Sequence, residues 1–264
     1  MRADLHLHTY YSDGAEAPAA VVEQAAASGL DLVAIADHDS MGAWEEAAAA
    51  SQRTGVRLLP AAEFTAYEGG AESHLLGYFP APPGPAVQEH LQRVQALRRQ
   101  RLQTAIARLQ KRGVRVEFSQ LPCAPACESV TASHLALLLV QNGYTRSMRA
   151  VWGRYLNNGV VPAFPVTPKV VIEVIHAGDG LAVWAHPSRR GFQRRLEELV
   201  VLGLDGVEVA NGRRGQQRVR EWQAEALKHN LVMTGGSDWH GEGKLGEFAV
   251  GEELVGELLR RLGW

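Results

Sequence analysis

Histidine and acidic side chains recur at the ends of apolar segments of this chain, beginning with Asp4-Leu5-His6-Leu7-His8. Side chains alternate between the two faces of a β-strand, so His6 and His8 would face one point, while Leu5 and Leu7 face a buried layer. A strand that is apolar on one face and rich in imidazole on the other usually binds something. This segment therefore predicts a ligand or metal site.

The same residue types return after later apolar segments. Asp13 lies in Ser12-Asp13-Gly14 and His38 in Asp37-His38-Asp39. The other candidates of this kind are Glu63, His74, His134, His186, Asp238 and His240. Imidazole and carboxylate together suit zinc, manganese or iron(II), and the lack of cysteine in the set argues against a sulfur-rich structural zinc site. The remaining histidines, His90, His176 and His229, fall in helical contexts and are predicted to be structural or exposed.

These candidates supply too many ligands for a single ion. Two or three divalent ions bridged by a carboxylate would stabilise both the attacking and the leaving oxygen in phosphoryl transfer. The sequence contains no GxSxG elbow, no Walker P-loop and no GxGxxG after the first predicted strand, which disfavours serine hydrolases, P-loop enzymes and dinucleotide oxidoreductases. Metal-dependent phosphoester hydrolysis is the chemistry that remains.

The elements that must position these residues alternate between short apolar runs and longer helical patterns such as Pro18–Ser28 and Met41–Thr54. This alternation is typical of β/α units around a parallel sheet. The predicted strands are Ala3–Leu7, Leu32–Ala36, Arg57–Ala61, Ser73–Tyr78, Leu181–Ala185, Gly206–Val209 and Leu231–Thr234. Seven strands fit an α/β barrel, in which all strand C-termini open on one face and bring remote residues together.

A proline-rich stretch at residues 79–85 marks a boundary, because proline cannot continue a helix or a central strand. Apolar residues then recur at helical spacing from Val87 to Leu109, and further helical patterns cover Ser133–Asn142 and Ser147–Asn157. We expect a barrel domain made of residues 1–85 and 161–264, with residues 86–160 inserted as a helical lid.

Composition indicates an ordinary globular protein. Of its 264 residues, 46% are hydrophobic and 21% charged, and the net charge is −2. No apolar run is long enough for a membrane span, and no export signal is recognisable, so a cytoplasmic location is expected. The two cysteines, Cys123 and Cys127, are predicted to be reduced thiols. Eight Lys or Arg and no acid occur between Leu91 and Arg115, which favours a solvated helix face over a nucleic-acid contact.

Taken together, the motifs resemble those of the PHP (polymerase and histidinol phosphatase) superfamily. They are Asp4-Leu5-His6-Leu7-His8-Thr9, Ser12-Asp13-Gly14, Asp37-His38-Asp39, Ala185-His186-Pro187 and Gly236-Ser237-Asp238-Trp239-His240. The resemblance spans nearly the whole chain. It implies a distorted seven-stranded β/α (TIM-like) barrel that holds three divalent ions, of manganese, zinc or iron.

The resemblance also implies roles for individual residues. One ion would be held by His6, His8, Glu63 and Asp238, a second by Asp13, His38 and His240, and a third by Glu63, His74 and His134. The catalytic set would comprise Asp13, Glu63, His186 and Asp238, with His186 and Arg189 contacting the substrate phosphate. The carboxylates of Asp4, Asp37 and Asp39 would orient the ligand histidines.

The lid is similar to that of a subgroup that dephosphorylates nucleoside 3′,5′-bisphosphates or trims RNA 5′ ends. The chain departs from the subgroup's pattern at Ala132, where an arginine is usual, and at Pro162-Ala163-Phe164-Pro165-Val166. The predicted substrates are small phosphomonoesters, above all nucleotides, or the end of a short single-stranded oligonucleotide, with no obligate protein partner. The alternatives are a histidinol-phosphate phosphatase, a polymerase-type exonuclease and, in a different class, a non-catalytic metal-binding scaffold domain.

Overall fold

The computed structural model describes residues 1–212 and 215–264. Within them the chain forms nine strands in two sheets. The strands are β1 (Arg2–Leu7), β2 (Leu32–Ile35), β3 (Arg57–Leu58), β4 (Ala61–Glu68), β5 (Ala71–Tyr78), β6 (Leu181–Trp184), β7 (Gly206–Ala210), β8 (Val232–Gly235) and β9 (Val250–Gly251). The mixed α/β class predicted from the alternating pattern is confirmed.

Helices separate most of these strands. They are α1 (Pro18–Ala27), α2 (Trp44–Thr54), α3 (Pro85–Gln110), α4 (Ala132–Gln141), α5 (Met148–Val151), α6 (Pro168–Ala177), α7 (Arg189–Val201), α8 (Gln216–Lys228) and α9 (Glu252–Leu262). A 3₁₀ turn at Phe118–Gln120 and a π-helical turn at Trp152–Leu156 complete the insertion. Three helices, α1, α3 and α6, begin with proline, whose fixed φ and missing N–H suit the first helical turn. No helix of the described residues is long and apolar enough to cross a membrane.

The two sheets meet along two seams. The first sheet has the order β3-β2-β1-β9 and the second the order β4-β5-β6-β7-β8. Isolated bridges join them at Leu7 and Trp239 and at His38 and Glu63. The backbone N–H of His8 donates to the Trp239 carbonyl at 2.9 Å, and that of Asp39 donates to the Glu63 carbonyl at 2.8 Å. Residues from the beginning, middle and end of the chain therefore lie next to one another.

A strand hairpin interrupts the expected β/α alternation. β4 and β5 are antiparallel and paired from Ala61 with Tyr78 to Glu68 with Ala71, across a turn of Gly69 and Gly70. Both glycines have positive φ, of 61° and 83°, as a two-residue hairpin turn requires. The prediction of seven parallel strands was wrong here, because most of β4 was overlooked and its partner β5 runs antiparallel to β4 and β6.

Buried apolar side chains form separate clusters. The largest packs the second sheet, together with Leu5 and Leu32 of the first, against helices, and another packs the first sheet against α1 and α2. A third cluster lies entirely between Leu102 and Val160. Helix α3 contributes to two of them, since its first half, with Leu91, packs with the second sheet, whereas Leu102 and Ile106 belong to the insertion's own cluster. This long helix therefore ties the insertion to the sheets.

Candidate metal centre

The predicted donor residues converge where several strands end. His6 lies on β1 and His8 directly after it, and both are fully buried, as Leu5 and Leu7 are on the opposite face. Glu63 and His74 lie on the neighbouring strands β4 and β5. His38, His186, Asp238 and His240 follow β2, β6 and β8. The alternation of β1 and the alignment of parallel strand ends thus place residues remote in sequence at one site.

One group comprises His6, His8 and Asp238, whose donor atoms all lie within 4.8 Å of one another. Asp238 Oδ1 is 3.7 Å from His6 Nε2 and 3.4 Å from His8 Nε2. Glu63 faces the same rings, at 3.4 Å from His6 Nε2 and 3.5 Å from His8 Nε2. Ligands about 2.0–2.2 Å from a tetrahedral ion are separated from one another by about 3.4 Å, so His6, His8 and Asp238 fit an ion, with Glu63 beside it.

A second group contains Asp13, His38 and His240 together with His8. Asp13 Oδ1 lies 3.3 Å from His240 Nε2 and 3.8 Å from His38 Nε2. Gly14 makes this turn possible, because an added Cβ there would lie 2.5 Å from the backbone of His8. Residues about 200 positions apart, His38 and His240, thus share one carboxylate, as the closing seam between β1 and β8 requires.

Glu63 stands at the centre of the arrangement. Its oxygens lie 2.9 Å from His38 Nδ1, 3.2 Å from His74 Nδ1 and 2.9 Å from His186 Nε2. Further groups of donors are accordingly formed by Glu63 with His38 and His74, and by Glu63 with His6 and His186. A carboxylate with several imidazoles on both oxygens has the geometry of a bridge between ions.

His134 is not placed with Glu63 and His74 in any of these groups. It lies in the first turn of α4, where its Nδ1 accepts a hydrogen bond of 3.0 Å from the backbone N–H of Thr131. Its ring groups with Cys123 and Cys127 instead. The expected third set is therefore only partly brought together in the structure, although the Thr131 hydroxyl connects this turn to Asp13 with a hydrogen bond of 2.9 Å.

The donor atoms themselves indicate what they are built to hold. Six buried atoms of the predicted ligands make no hydrogen bond of acceptable geometry among the described residues, although some lie close to another ligand atom. They are His6 Nε2, His8 Nε2, Asp13 Oδ1, His38 Nδ1, Glu63 Oε2 and His74 Nδ1. Orphaned buried polar atoms are costly unless something binds them, and these six all point to one site. The residues present therefore fit a cluster of divalent cations.

Neighbouring charges shift the pKa values of the site's histidines in opposite directions. Burial and the neighbouring His240 lower the pKa of His8 to about 3, so this ring is neutral and ready to coordinate. Burial also acts to lower the pKa of His74, but the Glu63 carboxylate outweighs it and raises this pKa to about 10. Burial would raise the pKa of Glu63, yet His38, His74 and His6 hold it well below its usual range. Glu63 is therefore ionised and can compensate positive charge.

Two of the aspartates expected to orient ligand rings, Asp4 and Asp37, fix the surrounding loops instead, and the third, Asp39, accepts the backbone N–H of Thr65 at 2.9 Å. Asp4 accepts the backbone N–H of Ser237 at 2.8 Å. Asp37 accepts the hydroxyls of Thr9 at 2.6 Å and Ser12 at 2.5 Å. Burial raises the pKa of Asp4 and of Asp37 to about 6. These carboxylates thus hold the segments that carry Asp238 and Asp13.

Ring orientation comes from Glu208, a residue that the sequence interpretation missed. This buried carboxylate on β7 lies 3.0 Å from His6 Nδ1 and accepts the backbone N–H of His186 at 2.9 Å. Fixing Nδ1 leaves Nε2 of His6 for an ion. The signal was available in the sequence, because Glu208 is the one charged residue in the apolar run Gly206–Ala210.

Three residues of the site have positive φ angles, which residues other than glycine rarely adopt. φ is 44° at Asp39, 26° at His186 and 58° at Asp238. Such conformations cluster at functional sites, where surrounding contacts impose them. Gly236 beside them must be glycine, since a Cβ would lie 2.1 Å from the Cβ of His6.

Two arginines of the basic stretch of α3 make contacts inside the protein. Arg98 is buried, pairs with Asp39 Oδ2 at 2.6 Å and also donates to the Thr65 hydroxyl. Arg101 donates to the Pro162 carbonyl at 2.6 Å, and both guanidinium groups lie over the Phe164 ring. In the segment at residues 162–166, where the sequence departs from the subgroup's pattern, Phe164 thus packs against these arginines. Arg98 is buried and so cannot contact a nucleic acid.

Arg189 is the first residue of α7, immediately beyond His186-Pro187-Ser188. Its side chain is exposed and lines a cleft of about 430 Å³ with Gln216 and Arg218 of α8. His186 lines a separate cavity of about 300 Å³ with His74 and Trp184. The two residues predicted to contact phosphate therefore lie on adjoining but different depressions.

Comparison with known proteins agrees with this geometry. The PHP domain family model matches residues 4–175. The chain belongs to the PHP domain family. A 3′,5′-nucleoside bisphosphate phosphatase of Chromobacterium violaceum is 33% identical over 92% of this chain and 88% of its own length. A 5′-3′ exoribonuclease of Haemophilus influenzae is 31% identical, covering 90% and 89%.

Solved structures give the same result. A metal-dependent phosphoesterase candidate from Bifidobacterium adolescentis superposes with a TM-score of 0.85 at 29% identity, covering 98% of this chain and 96% of that one. A C. violaceum amidohydrolase with bound sulfate and no metal has a TM-score of 0.85 at 29% identity, with coverage of 99% and 97%. This PHP protein is thus a metal-dependent phosphoesterase, a hydrolase that uses divalent ions and acts on a small phosphorylated or nucleotide substrate.

Proposed function

We propose that this PHP protein removes terminal phosphate groups from nucleotides, with nucleoside 3′,5′-bisphosphates as preferred substrates. The observation that carries the proposal is the Glu63 carboxylate, which is surrounded by five imidazoles at 2.9–3.5 Å. A similar protein from C. violaceum is a phosphatase of such bisphosphates, and a structurally similar one binds sulfate, which resembles phosphate in shape and charge.

The site would hold three ions, of manganese, zinc or iron. His6, His8, Glu63 and Asp238 would hold the first, and Asp13, His38 and His240 the second. Glu63 and His74 would be two ligands of a third ion. His134 of the insertion would be the next ligand only if its ring moved away from Cys123 and Cys127. When bound, such ions supply Lewis acidity and lower the pKa of coordinated water.

The protein's own residues would then position the reacting phosphate. Glu63 would bridge the ligand sets, with Asp13 and Asp238 as the carboxylates of one set each. His186 lies at the edge of the site, with its Nε2 2.9 Å from Glu63 and about a third of its side chain exposed, so it can reach a phosphate oxygen. Arg189, one turn further along, can orient a second phosphate through paired N–H donors.

The insertion would restrict the substrate to small or terminal groups. Residues 86–160 would act as a lid domain on a barrel-like domain made of residues 1–85 and 161–264, whose two sheets are joined by the bridges of Leu7 with Trp239 and of His38 with Glu63. A second restriction comes from the barrel-like domain itself, which lines the cavity beside His74 and His186; its volume of about 300 Å³ is at the small end of the range for ligand pockets. A nucleotide fits such a space, whereas the interior of a duplex does not.

Trimming of short RNA from its 5′ end is a second candidate. The cleft between Arg189 and Arg218 joins the starts of α7 and α8 and could follow a phosphate backbone away from the site. A similar protein from H. influenzae is a 5′-3′ exoribonuclease.

The test compares rates on matched substrates with the manganese-loaded protein. Nucleoside 3′,5′-bisphosphates and monophosphates should give a higher kcat/KM than short single-stranded RNA, and long double-stranded DNA the lowest. Arg189→Ala should raise KM for a bisphosphate with metal content unchanged, whereas Arg194→Ala, exposed on the same helix, should not. Equal hydrolysis of long duplex DNA would exclude the lid argument, and faster RNA trimming would favour the second candidate.

A further inference from the structure

The hydrolytic site does not use the two thiols of the chain, yet the structure places them together. Cys123 is half-buried and Cys127 buried, and their sulfur atoms lie within 4.8 Å of each other and of His134. We infer that Cys123 and Cys127 are a reversible oxidation site, at which an intramolecular disulfide forms and slows hydrolysis. The effect on hydrolysis rests on the proposed function, whereas the disulfide does not.

The backbone between the two cysteines favours closure. The N–H of Cys127 donates to the Ala124 carbonyl at 2.9 Å, and the N–H of Cys123 donates to the Leu121 carbonyl at 2.8 Å. The first bond closes a turn over residues 124–127, between the two cysteines, and the second tightens the chain just before Cys123. A disulfide needs the two β-carbons about 3.5–4.5 Å apart, which a tight turn supplies with little movement of the chain.

A metal ion is the other ligand that two thiols and an imidazole could hold. The backbone N–H of Thr131 donates to Nδ1 of His134 at 3.0 Å, so a neutral ring carries its proton on Nε2. Coordination through Nε2 would move that proton to Nδ1, where it would face the backbone N–H of Thr131. The contacts therefore favour chemistry between the sulfurs over a third metal ligand from this histidine.

Oxidants can reach both sulfurs. Cys123 is partly exposed, and Cys127 lines a cleft of about 400 Å³ together with Arg99 and Glu128. A peroxide supplies the two-electron oxidant: one thiolate attacks a peroxide oxygen, forming a sulfenic acid and releasing hydroxide. The second thiolate attacks that sulfur, forms the S–S bond and expels the second hydroxide. The two hydroxides take up the two thiol protons and leave as water.

Closure would be transmitted to Asp13 through a short series of contacts. The thiol of Cys127 donates a hydrogen bond to the Ser12 carbonyl, with Sγ 3.5 Å from the oxygen. The N–H groups of residues 128 and 129 both donate to the Tyr11 carbonyl, at 3.0 and 3.1 Å, and the Thr131 hydroxyl donates to Asp13 Oδ2 at 2.9 Å. A disulfide removes the S–H donor and pulls this segment toward Cys123, away from the loop that carries Asp13.

The experiment uses the full chain loaded with manganese and treated with diamide, a thiol oxidant that leaves the histidines intact. Both free thiols should disappear, a peptide linking Cys123 to Cys127 should be found by mass spectrometry, and a phosphine reductant should reverse it. Turnover of an aryl phosphate should fall about tenfold, because a displacement of ~1 Å at a positioning group can cost up to about a hundredfold.

Cys123→Ser is the matched control, because this half-exposed residue can be replaced without opening a cavity, and Cys127→Ala is a second. Both variants should keep their turnover in diamide. The absorption of cobalt(II) bound at the site reports Asp13 without turnover and should change on oxidation only in the parent protein. Thiols that stay free, a disulfide between two molecules, or equal loss of activity in Cys123→Ser would each overturn the inference.

Discussion

Two parts of the molecule present histidine donors in different ways. On the sheets, His6, His8 and His74 point orphaned nitrogens toward the ionised Glu63. In the insertion, the Nδ1 of His134 already has a backbone partner and its ring lies beside two thiols. Strand pairing fixes the first set from several directions, whereas one helix turn fixes the second. The proposed hydrolytic centre therefore rests on the sheet ends, and the insertion contributes His134 from outside that group of donors.

The two parts are also stabilised differently. The sheets and their helices share large apolar clusters, while the insertion has a smaller cluster of its own from Leu102 to Val160. The connection between them includes a buried ion pair, Arg98 with Asp39, next to the ligand His38. A change in the insertion can thus reach the centre through one charged contact.

The largest effect is expected at the shared carboxylate. Glu63→Ala, or Glu63→Gln to keep the size, should lower kcat by at least about a thousandfold, because both ligand sets lose their common member. Steady-state kinetics and elemental analysis measure this, with Glu68→Gln further along the same strand as the control. A variant with full metal content and most of its kcat would show that Glu63 is not the bridge.

Removal of Arg98 tests the connection between the two parts. Arg98→Ala leaves Asp39 buried without its charged partner and should lower the free energy of unfolding by about 3–5 kcal/mol. The exposed neighbour gives the control, since Arg99→Ala should change stability by no more than about 0.5 kcal/mol. Urea unfolding of the two proteins decides the matter, and equal midpoints would mean that the pair does not anchor the insertion.

Glu208 tests the sheet side of the comparison. Glu208→Gln keeps the size but weakens the contacts that orient His6 and His186, so metal affinity or turnover should fall about 10- to 100-fold. Competition with a chromogenic chelator gives the affinity. Glu197→Gln, exposed on α7, should bind metal as the parent does, and an unchanged affinity in Glu208→Gln would remove the residue from the site.

The smallest effect is expected at His134. His134→Ala loses its part of the capping interaction with Thr131, worth about 1 kcal/mol, and should lower turnover by less than about tenfold. His74→Ala, which removes a contact with Glu63, should cost much more. If His134→Ala and His74→Ala lost equal fractions of activity and of bound metal, His134 would be a ligand of the centre like the histidines on the sheets. The difference between the insertion and the sheets would then not hold.

Much of the centre could be predicted from local patterns. The period of two along Asp4–His8 predicts which side chains share a face, and the donors after β2, β6 and β8 follow from the rule that parallel strand ends meet. The hairpin of β4 and β5 was missed because Glu63 interrupts the apolar run of Ala61–Glu68, although the Gly69-Gly70 turn after it is itself a hairpin signal. That charged residue, Glu63, contacts histidines of other strands, His6 on β1 and His74 on β5.

By itself the sequence determined the residue types of the site, the mixed α/β class and the helical character of the insertion, because these depend on side-chain chemistry and short-range periodicity. Tertiary structure alone decided which donors meet. It placed His134 beside Cys123 and Cys127, gave Glu208 the orienting role and buried Arg98 against Asp39. Each of these contacts joins different elements, so its distance is set by how sheets and helices pack and leaves no regular spacing along the chain.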